Sequence, residues 1–307
     1  MQSFLARFPR WLRVVAAAIL TIVTVVVLAS GFLWIYFHPT VHRTDGVAYG
    51  VRRGLPLTMD ILRPNSPNGR GIALMVSGGW KSAKAGETPV WLVAPVLRAG
   101  YTVFAVCHIS QPKSTVMEIV EDMHRSIRFI RHHARQYGID PNRIGVTGGS
   151  AGGHLSLMLS TRGGPGDPNA ADPINRVSSA VQAAAIFYPV TDLLNLGPST
   201  ENPGDGGPPR SFRKAFDAEA ISLEQWRAIG RDMSPIYFIN SQMPPVLIYH
   251  GDADTLVPLE QSQRFQARAM ESGRTVRLEI HKGGKHGWPT MLWDEFDFVD
   301  WFDRYLR

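Results

Sequence analysis

Short apolar runs of the kind that form buried strands alternate with longer helical patterns over most of this 307-residue chain. Several of the runs contain no polar residue, which is typical of parallel strands that are covered on both faces. The alternation therefore predicts an α/β fold in which a mostly parallel sheet carries helices on both faces. The seven candidate strands are residues 57–62, 72–76, 102–106, 144–146, 181–187, 246–249 and 276–280.

One segment interrupts this alternation. Glycine and proline crowd residues 197–209, and helix-compatible pieces follow at about 212–220 and 223–229. A long irregular stretch inside a compact domain is typical of a lid or a solvated loop. We therefore predict one domain over residues 49–307 with a lid-like insertion at 193–241.

The N-terminal part of the chain is dominated by residues 14–37, which form a run of 24 residues without a charge. At about 1.5 Å per helical residue this run extends about 36 Å, enough to cross a hydrocarbon core about 30 Å thick. The aromatic residues from Trp34 to Phe37 lie where an interfacial belt is expected. We therefore predict a transmembrane helix at 14–37 with the lipid bilayer as its partner, followed by a polar linker at 38–48.

Two other interpretations of this run stay open. A cleaved signal peptide also has a basic start and an apolar run, and Ala29, Ser30 and Gly31 would suit a cleavage site, which would make the protein secreted. The apolar core of a signal peptide is usually only about 7–15 residues long, however. A buried core helix is the third interpretation. For an uncleaved helix, the arginines of the basic flank at 1–13 place that flank in the cytoplasm and residues 40–307 in the periplasm or outside the cell.

Charge and cysteine content narrow the classes of partner and cofactor. The net charge of +6 falls to +3 when the three arginines of the first 37 residues are set aside, so no nucleic-acid partner is predicted. The single cysteine, Cys107, forms neither an internal disulfide nor a cysteine-based zinc site, and it is interpreted as buried and inert. We expect no metal. Phosphate-loop and dinucleotide-binding motifs do not occur in the sequence, so no organic cofactor is expected either.

The motif Gly148-Gly149-Ser150-Ala151-Gly152 follows a candidate strand and precedes a helix-compatible stretch. In this context the pattern G-x-S-x-G indicates a nucleophile that is held on a tight strand-to-helix turn. Gly148 and Gly152 lack the side chains that would collide on either side of the turn, so Ser150 is pushed into the open. The helix that follows directs its N-terminus at the reaction centre, where the amide of Ala151 would receive a developing oxyanion.

A serine nucleophile needs a base and a carboxylate that orients the base. The loop after the sixth candidate strand contains Asp252 and Asp254, and a glycine-flanked His286 follows the last candidate strand. The chain order is therefore serine, acid, histidine. The histidines within 124–133, in a helical pattern, and His281, at a strand end, are interpreted as structural or solvated.

Three stretches carry a resemblance to a known family: residues 138–155 around the serine motif, 188–193 with the sequence Y-P-V-T-D-L, and 250–258 with the sequence H-G-D-A-D-T-L-V-P. From about Tyr49 to the C-terminus the chain resembles the α/β-hydrolase fold. It is most similar to the esterase branch that contains hormone-sensitive-lipase-like and feruloyl-esterase-like enzymes. The third stretch is shared with prolyl-oligopeptidase-like hydrolases, in which the acid four places after the histidine belongs to the triad. The resemblance therefore implies Asp254 as the triad acid.

One stretch departs from the family pattern. The esterase branch usually has H-G-G-G-W after the third strand, whereas residues 76–80 of this chain read V-S-G-G-W. The remaining glycine pair still lets backbone amides approach a substrate oxygen closely. Gly78 and Gly79, together with Ala151, are therefore the candidate oxyanion-hole residues. Trp80 is expected to form one wall of the substrate pocket and to favour short acyl groups.

The leading hypothesis is a membrane-tethered serine hydrolase that cleaves small-molecule carboxylic esters. Ser150 attacks the acyl carbon, His286 transfers the proton, and Asp254 fixes the tautomer of the imidazole. A peptidase is one alternative, because the 250–258 motif also occurs in prolyl-oligopeptidase-like chains, although these usually carry an N-terminal propeller. A non-catalytic hydrolase-like ectodomain is the other, although it normally lacks a triad residue. The sequence does not indicate an oligomeric state.

Overall fold

The computed structural model describes residues 9–217 and 221–307 and contains one eight-stranded sheet. The strands are β1 (Val41–Arg52), β2 (Leu55–Pro64), β3 (Gly71–Met75), β4 (Thr102–Val106), β5 (Ile144–Gly149), β6 (Ala183–Phe187), β7 (Val246–Gly251) and β8 (Val276–His281). The helices are α1 (Arg10–Phe37), α2 (Ala94–Arg98), α3 (Val116–His132), α4 (Ala134–Tyr137), α5 (Ala151–Arg162), α6 (Leu223–Asp232), α7 (Glu260–Glu271) and α8 (Met291–Tyr305). Single turns of 3-10 helix occur at Val90–Val93, Pro173–Arg176 and Pro235–Phe238, and a longer one occurs at Arg210–Phe216.

The sheet is mostly parallel, as the sequence predicts. Its strand order is β1-β2-β4-β3-β5-β6-β7-β8, and the six strands from β3 to β8 run parallel to one another. Helices α3, α5 and α7 contribute to the core on one face, and α2 and α8 contribute to the core on the other. All seven predicted strands are present. The carboxyl ends of β5, β7 and β8 therefore lie near one another along a single edge of the sheet, where ligand sites form in open α/β sheets.

The linker predicted at residues 38–48 is wrong from residue 41 onward, because these residues begin strand β1. This edge strand pairs antiparallel with β2 and buries Tyr49, whose hydroxyl donates a hydrogen bond to the carbonyl of Cys107 at 2.8 Å. Two register shifts interrupt the pairing, between Thr44 and Val47 and between Ala48 and Gly50. Each shift breaks the alternation of apolar and polar residues. The strand therefore lacks a clear sequence signature.

The predicted insertion at 193–241 packs on the domain rather than forming a solvated loop. Phe216, in the 3-10 helix Arg210–Phe216, is fully buried, and so is Trp226 in α6. Helix α6 begins at a capping box in which Ser222 and Gln225 satisfy each other's backbone amides. The helical piece predicted at 212–220 ends in residues 218–220, which lie outside the described residues, as do residues 1–8 of the predicted basic flank.

Helix α1 has no buried residue, which rules out the interpretation as a buried core helix. It is the helix of the described residues that is long and apolar enough to cross a membrane, with a mean hydropathy of 2.6. Its last turn contacts the domain. The guanidinium group of Arg98 donates hydrogen bonds to the carbonyls of Tyr36 at 2.8 Å and Ile35 at 2.5 Å. The ring of Tyr36 also stacks on Phe296, and the ring of Phe37 packs edge-on against Trp293.

Candidate active site

Ser150 lies between β5 and α5 in a backbone conformation that non-glycine residues rarely adopt, with φ at 56° and ψ at −119°. The close approach of neighbouring segments explains the flanking glycines. A Cβ atom on Gly152 would lie 2.4 Å from the carbonyl oxygen of Met75, and one on Gly148 would lie 2.7 Å from the backbone of Gly152. The strand-to-helix turn therefore requires glycine at both positions and holds Ser150 in a strained, partly exposed corner.

The structure brings together the three residues that the sequence singled out. Nε2 of His286 lies 2.9 Å from Oγ of Ser150, and Nδ1 of His286 lies 2.6 Å from Oδ2 of Asp254. The side chain of Asp254 is fully buried, whereas 24% of the His286 side chain is exposed. The three side chains thus form a continuous hydrogen-bonded chain that runs from the interior to the surface of a cavity.

The surroundings of Asp254 keep it ionised. Its Oδ1 atom accepts hydrogen bonds from the amides of Leu256 and Val257, each at 2.9 Å. Burial alone would raise the pKa of this carboxyl. The side chains of His250 and His286 and the Val257 amide outweigh that effect and hold the pKa well below its usual value.

Asp252, the competing acid, lies elsewhere. Its side chain is exposed, and Oδ1 accepts a hydrogen bond from the amide of Gly283 at 2.6 Å. This contact ties the loop after β7 to the loop after β8. Asp252 therefore caps the loop, and of the two carboxylates it is Asp254 that reaches His286.

Tyr188, which was not among the predicted site residues, contacts the site. Its ring lies 4.5 Å from the ring of His286, centroid to centroid, and its backbone φ is 33°. Burial raises the pKa of its hydroxyl to about 12, so the phenol stays neutral. The ring therefore supports one face of the imidazole. The signal in the sequence was the Y-P-V-T-D-L stretch that begins at this residue.

The segment from Gly78 to Lys81 forms a tight turn beside Ser150. The amide of Gly78 donates to the carbonyl of Lys81, and the amide of Lys81 donates to the carbonyl of Gly78, both at 2.9 Å. The two central residues, Gly79 and Trp80, have φ values of 54° and 55°, as in a type I′ turn. The prediction that Gly78 is an oxyanion-hole donor is therefore wrong, because its amide already donates a hydrogen bond within the turn.

The amides of Gly79 and Ala151 are the remaining candidates, and both residues line the cavity above Ser150. Among residues 9–217 and 221–307, no backbone carbonyl of a loop and no side chain accepts a hydrogen bond from either amide. Ala151 is also the first residue of α5, where backbone amides have no partner within the helix. The two amides are thus free to bind an anionic oxygen.

A neighbouring loop holds the turn in place. The amide of Gln111 donates to the carbonyl of Trp80 at 3.0 Å, and its side-chain amide donates to the carbonyl of Gly79 at 3.3 Å. Nε2 of His108 lies 2.9 Å from the hydroxyl of Ser77, in the stretch where the family motif is altered. These contacts fix the turn from outside, in a chain that lacks the family's usual histidine and first glycine.

Trp80 is buried in a fixed orientation. Its indole N–H donates to Nδ1 of His154 at 3.2 Å, and its ring packs edge-on against Phe212 and Phe216. Burial lowers the pKa of His154 to about 4, so the imidazole is neutral and accepts the indole proton. Nε2 of the same imidazole donates to the carbonyl of Met233 at 2.8 Å.

A cavity of about 380 Å³ opens above Ser150 and is mainly apolar. Gly79, Trp80 and Tyr188 line it together with Ser150. The insertion also lines it, through Leu193, Leu196, Ser199, Glu201, Pro209 and Phe212. Away from this cavity, Cys107 is buried, and burial raises the pKa of its thiol to about 11, which keeps it protonated.

Comparison with known proteins identifies the family. The BD-FAE family model matches residues 59–269, which include Ser150 and Asp254. The chain belongs to the BD-FAE family. Esterase LipQ of Mycobacterium tuberculosis is 29% identical over 80% of this chain and 58% of its own length. A probable isoprenylcysteine alpha-carbonyl methylesterase of Arabidopsis thaliana, ICMEL1, is 23% identical over 84% of this chain and 54% of its own length.

The chain therefore spans about half the length of the curated relatives that it matches. Solved structures show the same fold. A truncated carbohydrate esterase from gut microbiota is 24% identical, with a TM-score of 0.69 over 86% of this chain and 95% of that chain. Esterase Est2 of Thermogutta terrifontis, solved with propionate bound, is 24% identical, with a TM-score of 0.65 over 87% of this chain and 92% of that chain. This chain has the α/β-hydrolase fold.

Proposed function

We propose that this protein is a serine carboxylesterase that is anchored to a membrane and cleaves short-chain acyl esters. The observation that carries the proposal is the hydrogen-bonded chain from Ser150 through His286 to Asp254, beside two free amides. The esterase relatives support the reaction class, and the intact triad is what a non-catalytic ectodomain would lack.

The hydrogen bonds of the triad support a role for each proton. The ionised carboxylate of Asp254 only accepts hydrogen bonds, so Nδ1 of His286 carries a proton and Nε2 has a free lone pair. Nε2 therefore removes the Ser150 proton as Oγ attacks the acyl carbon. The imidazolium that forms is stabilised by Asp254, and it then protonates the departing alcohol.

Charge develops on the acyl oxygen during this attack. The amides of Gly79 and Ala151 border the cavity next to Oγ and would receive that charge. One such donor is worth about 10²–10³ in turnover in serine hydrolases. Water then attacks the acyl-enzyme with His286 as base, which releases the acid and restores Ser150.

The shape of the cavity favours small acyl groups. Its volume of about 380 Å³ must hold both the acyl and the alcohol part of the substrate. A hydrogen bond to His154 and edge-on ring contacts with Phe212 and Phe216 oppose movement of Trp80 out of the way of a longer acyl chain. Forcing extra methylenes into close-packed surroundings costs about 1–3 kcal/mol, which corresponds to about 5-fold to 150-fold in kcat/KM.

An ester series tests the proposed activity and its selectivity. Purified full-length protein should hydrolyse p-nitrophenyl acetate and butanoate faster than the decanoate, with each ester kept below its micelle threshold. Trp80→Ala should raise the ratio of decanoate to acetate hydrolysis at least about fivefold. Leu223→Ala is the matched control, since Leu223 is an exposed apolar residue of the insertion outside the cavity. Faster cleavage of the decanoate by the unaltered protein would overturn the short-chain assignment.

The anchor rests on α1. This helix of 28 residues extends about 42 Å and exposes its apolar side chains on every face. Its last turn packs on Arg98, Trp293 and Phe296, and removal of the helix by signal cleavage near Gly31 would leave Tyr36 and Phe37 as a short tail. These contacts support an uncleaved helix. The arginines that precede it in the sequence support a catalytic domain outside the cytoplasm.

Two measurements test the topology. Protease added to cells with a permeabilised outer layer should degrade the domain, and N-terminal sequencing should find α1 intact. A mature N-terminus near Ser30 or Gly31 would instead show a secreted enzyme, and protection from protease would place the domain in the cytoplasm.

A further inference from the structure

A second cavity, of about 210 Å³, lies behind the strand-to-helix turn, on the side of the sheet that α2 and α8 cover. We call it the rear chamber. Apolar side chains make up most of its wall, among them Leu74, Val93, Val96, Phe187, Met291 and Phe298. It shares Gly149 and Tyr188 with the catalytic cavity, but the mechanism above uses none of its other side chains.

One polar side chain in this wall is unexplained. Glu295, on the first turns of α8, is only 6% exposed, and its Oε2 atom is buried without a hydrogen-bond partner among the described residues. Burial raises the pKa of this carboxyl well above its usual value, which favours its protonated form. An unpaired buried group of this kind costs about 1–3 kcal/mol. Native proteins seldom keep such a group without a use for it.

A protonated carboxyl group has a specific requirement. It offers one O–H donor and one carbonyl acceptor side by side. A hydroxyl group satisfies both at once, because it accepts and donates. A carboxylate ligand would bring an unpaired negative charge among apolar walls, and an alkane would leave the carboxyl unsatisfied.

The chamber reaches the surface near the end of α1. Its half-buried lining residues Leu92 and Met291 belong to the two segments that contact the last turn of that helix. Exposed aromatic residues, Trp91 and Trp293, border the same face. Aromatic side chains of this kind are enriched where proteins meet the headgroup layer of a membrane. An apolar ligand would therefore enter from the lipid side, a route that rests on the proposed anchor.

We propose that the rear chamber binds an aliphatic alcohol, with its hydroxyl group paired to the Glu295 carboxyl and its hydrocarbon chain along the apolar wall. The size fits a short chain. An engineered apolar cavity of about 150 Å³ holds benzene, so 210 Å³ holds about eight carbons by proportion. This alcohol site is separate from the substrate site above Ser150.

The test uses the full chain in phospholipid nanodiscs with Ser150 blocked by a fluorophosphonate, so that ester hydrolysis plays no part in the readout. The probe is 1-octanol with a diazirine near its chain end, and crosslinked peptides are mapped by mass spectrometry. We expect saturable labelling of the peptides that contain Leu92 to Val96 and Met291. Unlabelled 1-octanol should compete, whereas octane and octanoate should compete at least about fivefold less well.

Three variants make the test specific. Val96→Phe fills the chamber and should abolish the labelling, whereas Val120→Phe, at a similarly buried valine lining a different cavity, should leave it unchanged. Glu295→Leu should remove the preference for octanol over octane. This variant tests the proposal independently of Val96→Phe, whose larger side chain could prevent folding. Cooperative thermal unfolding checks each variant.

Three results would overturn the proposal. They are labelling that neither Val96→Phe nor Glu295→Leu alters, labelling confined to the 193–241 insertion, and equal competition by octane and octanol in the unaltered protein. Failure of the ester series with labelling intact would instead remove the proposed function and leave the alcohol site standing.

Discussion

Replacing Asp254 by asparagine tests the proton assignment in the triad. The carboxylate has two occupied sides: Oδ2 accepts from His286 at 2.6 Å, and Oδ1 accepts from the amides of Leu256 and Val257 at 2.9 Å. Asparagine has only one oxygen, so one side must receive its NH₂ group. Turned toward the two backbone amides, that group would leave buried donors facing donors, at a cost of about 1–3 kcal/mol for each unsatisfied donor.

In Asp254→Asn the new NH₂ group therefore faces His286. Nδ1 must then accept a hydrogen bond, which moves the imidazole proton to Nε2 and leaves no lone pair for the Ser150 proton. We expect turnover to fall by about 10⁴, or about 5.5 kcal/mol in the barrier. The loss should appear in kcat with little change in KM, because Asp254 does not line the catalytic cavity.

The matched control is Asp252→Asn, two residues away. The side-chain oxygen that remains in this variant still accepts from the amide of Gly283, so we expect activity within about twofold of the unaltered protein. Stopped-flow and steady-state hydrolysis of p-nitrophenyl acetate measure both variants. An Asp254→Asn enzyme that keeps more than a tenth of the turnover, or an equal loss in Asp252→Asn, would show that Asp254 does not fix the tautomer of His286.

Two further predictions concern packing and pH. Gly152→Ala should lower activity by at least about 10² and the free energy of unfolding by about 1–3 kcal/mol, because its Cβ would lie 2.4 Å from the Met75 carbonyl. The control is Gly164→Ala, which has open space around it and should lower neither quantity. Urea unfolding and ester hydrolysis measure both variants. Glu295→Gln should stabilise the protein more at pH 8 than at pH 5. The native state keeps a proton that the unfolded chain releases above the ordinary pKa of 4.5, so stability falls by up to about 1.4 kcal/mol per pH unit above that value. Equal urea midpoint shifts at both pH values would show that Glu295 is ionised in the native protein.

The parallel strands could be predicted because a strand that is buried on both faces consists mainly of consecutive apolar residues. Residues 102–106 match β4 end to end, and 246–249 lie within β7. Strand β1 could not be predicted in this way. It lies at the sheet edge and its pairing shifts register twice, so apolar and polar residues do not alternate regularly along it.

Some residues of the candidate site could likewise be predicted from the sequence, and others could not. Ser150 and the loop acids are marked by glycines and by their spacing, because tight turns accept few other residues. The loss of Gly78 as a donor depends on a hydrogen bond to Lys81, which the sequence does not encode in any pattern. Glu295 is likewise a charged residue in a helical pattern, which suggests a surface position, whereas the tertiary fold buries it.

The proposed esterase activity depends most on Ser150 being the nucleophile. The most direct measurement is mass spectrometric mapping of the adduct formed when the full-length protein reacts with a fluorophosphonate, beside the Ser150→Ala variant. We expect one adduct, on the peptide that contains Ser150, with neither an adduct nor ester hydrolysis above background in Ser150→Ala. An adduct on another residue, or undiminished hydrolysis by the folded Ser150→Ala protein, would contradict this assignment.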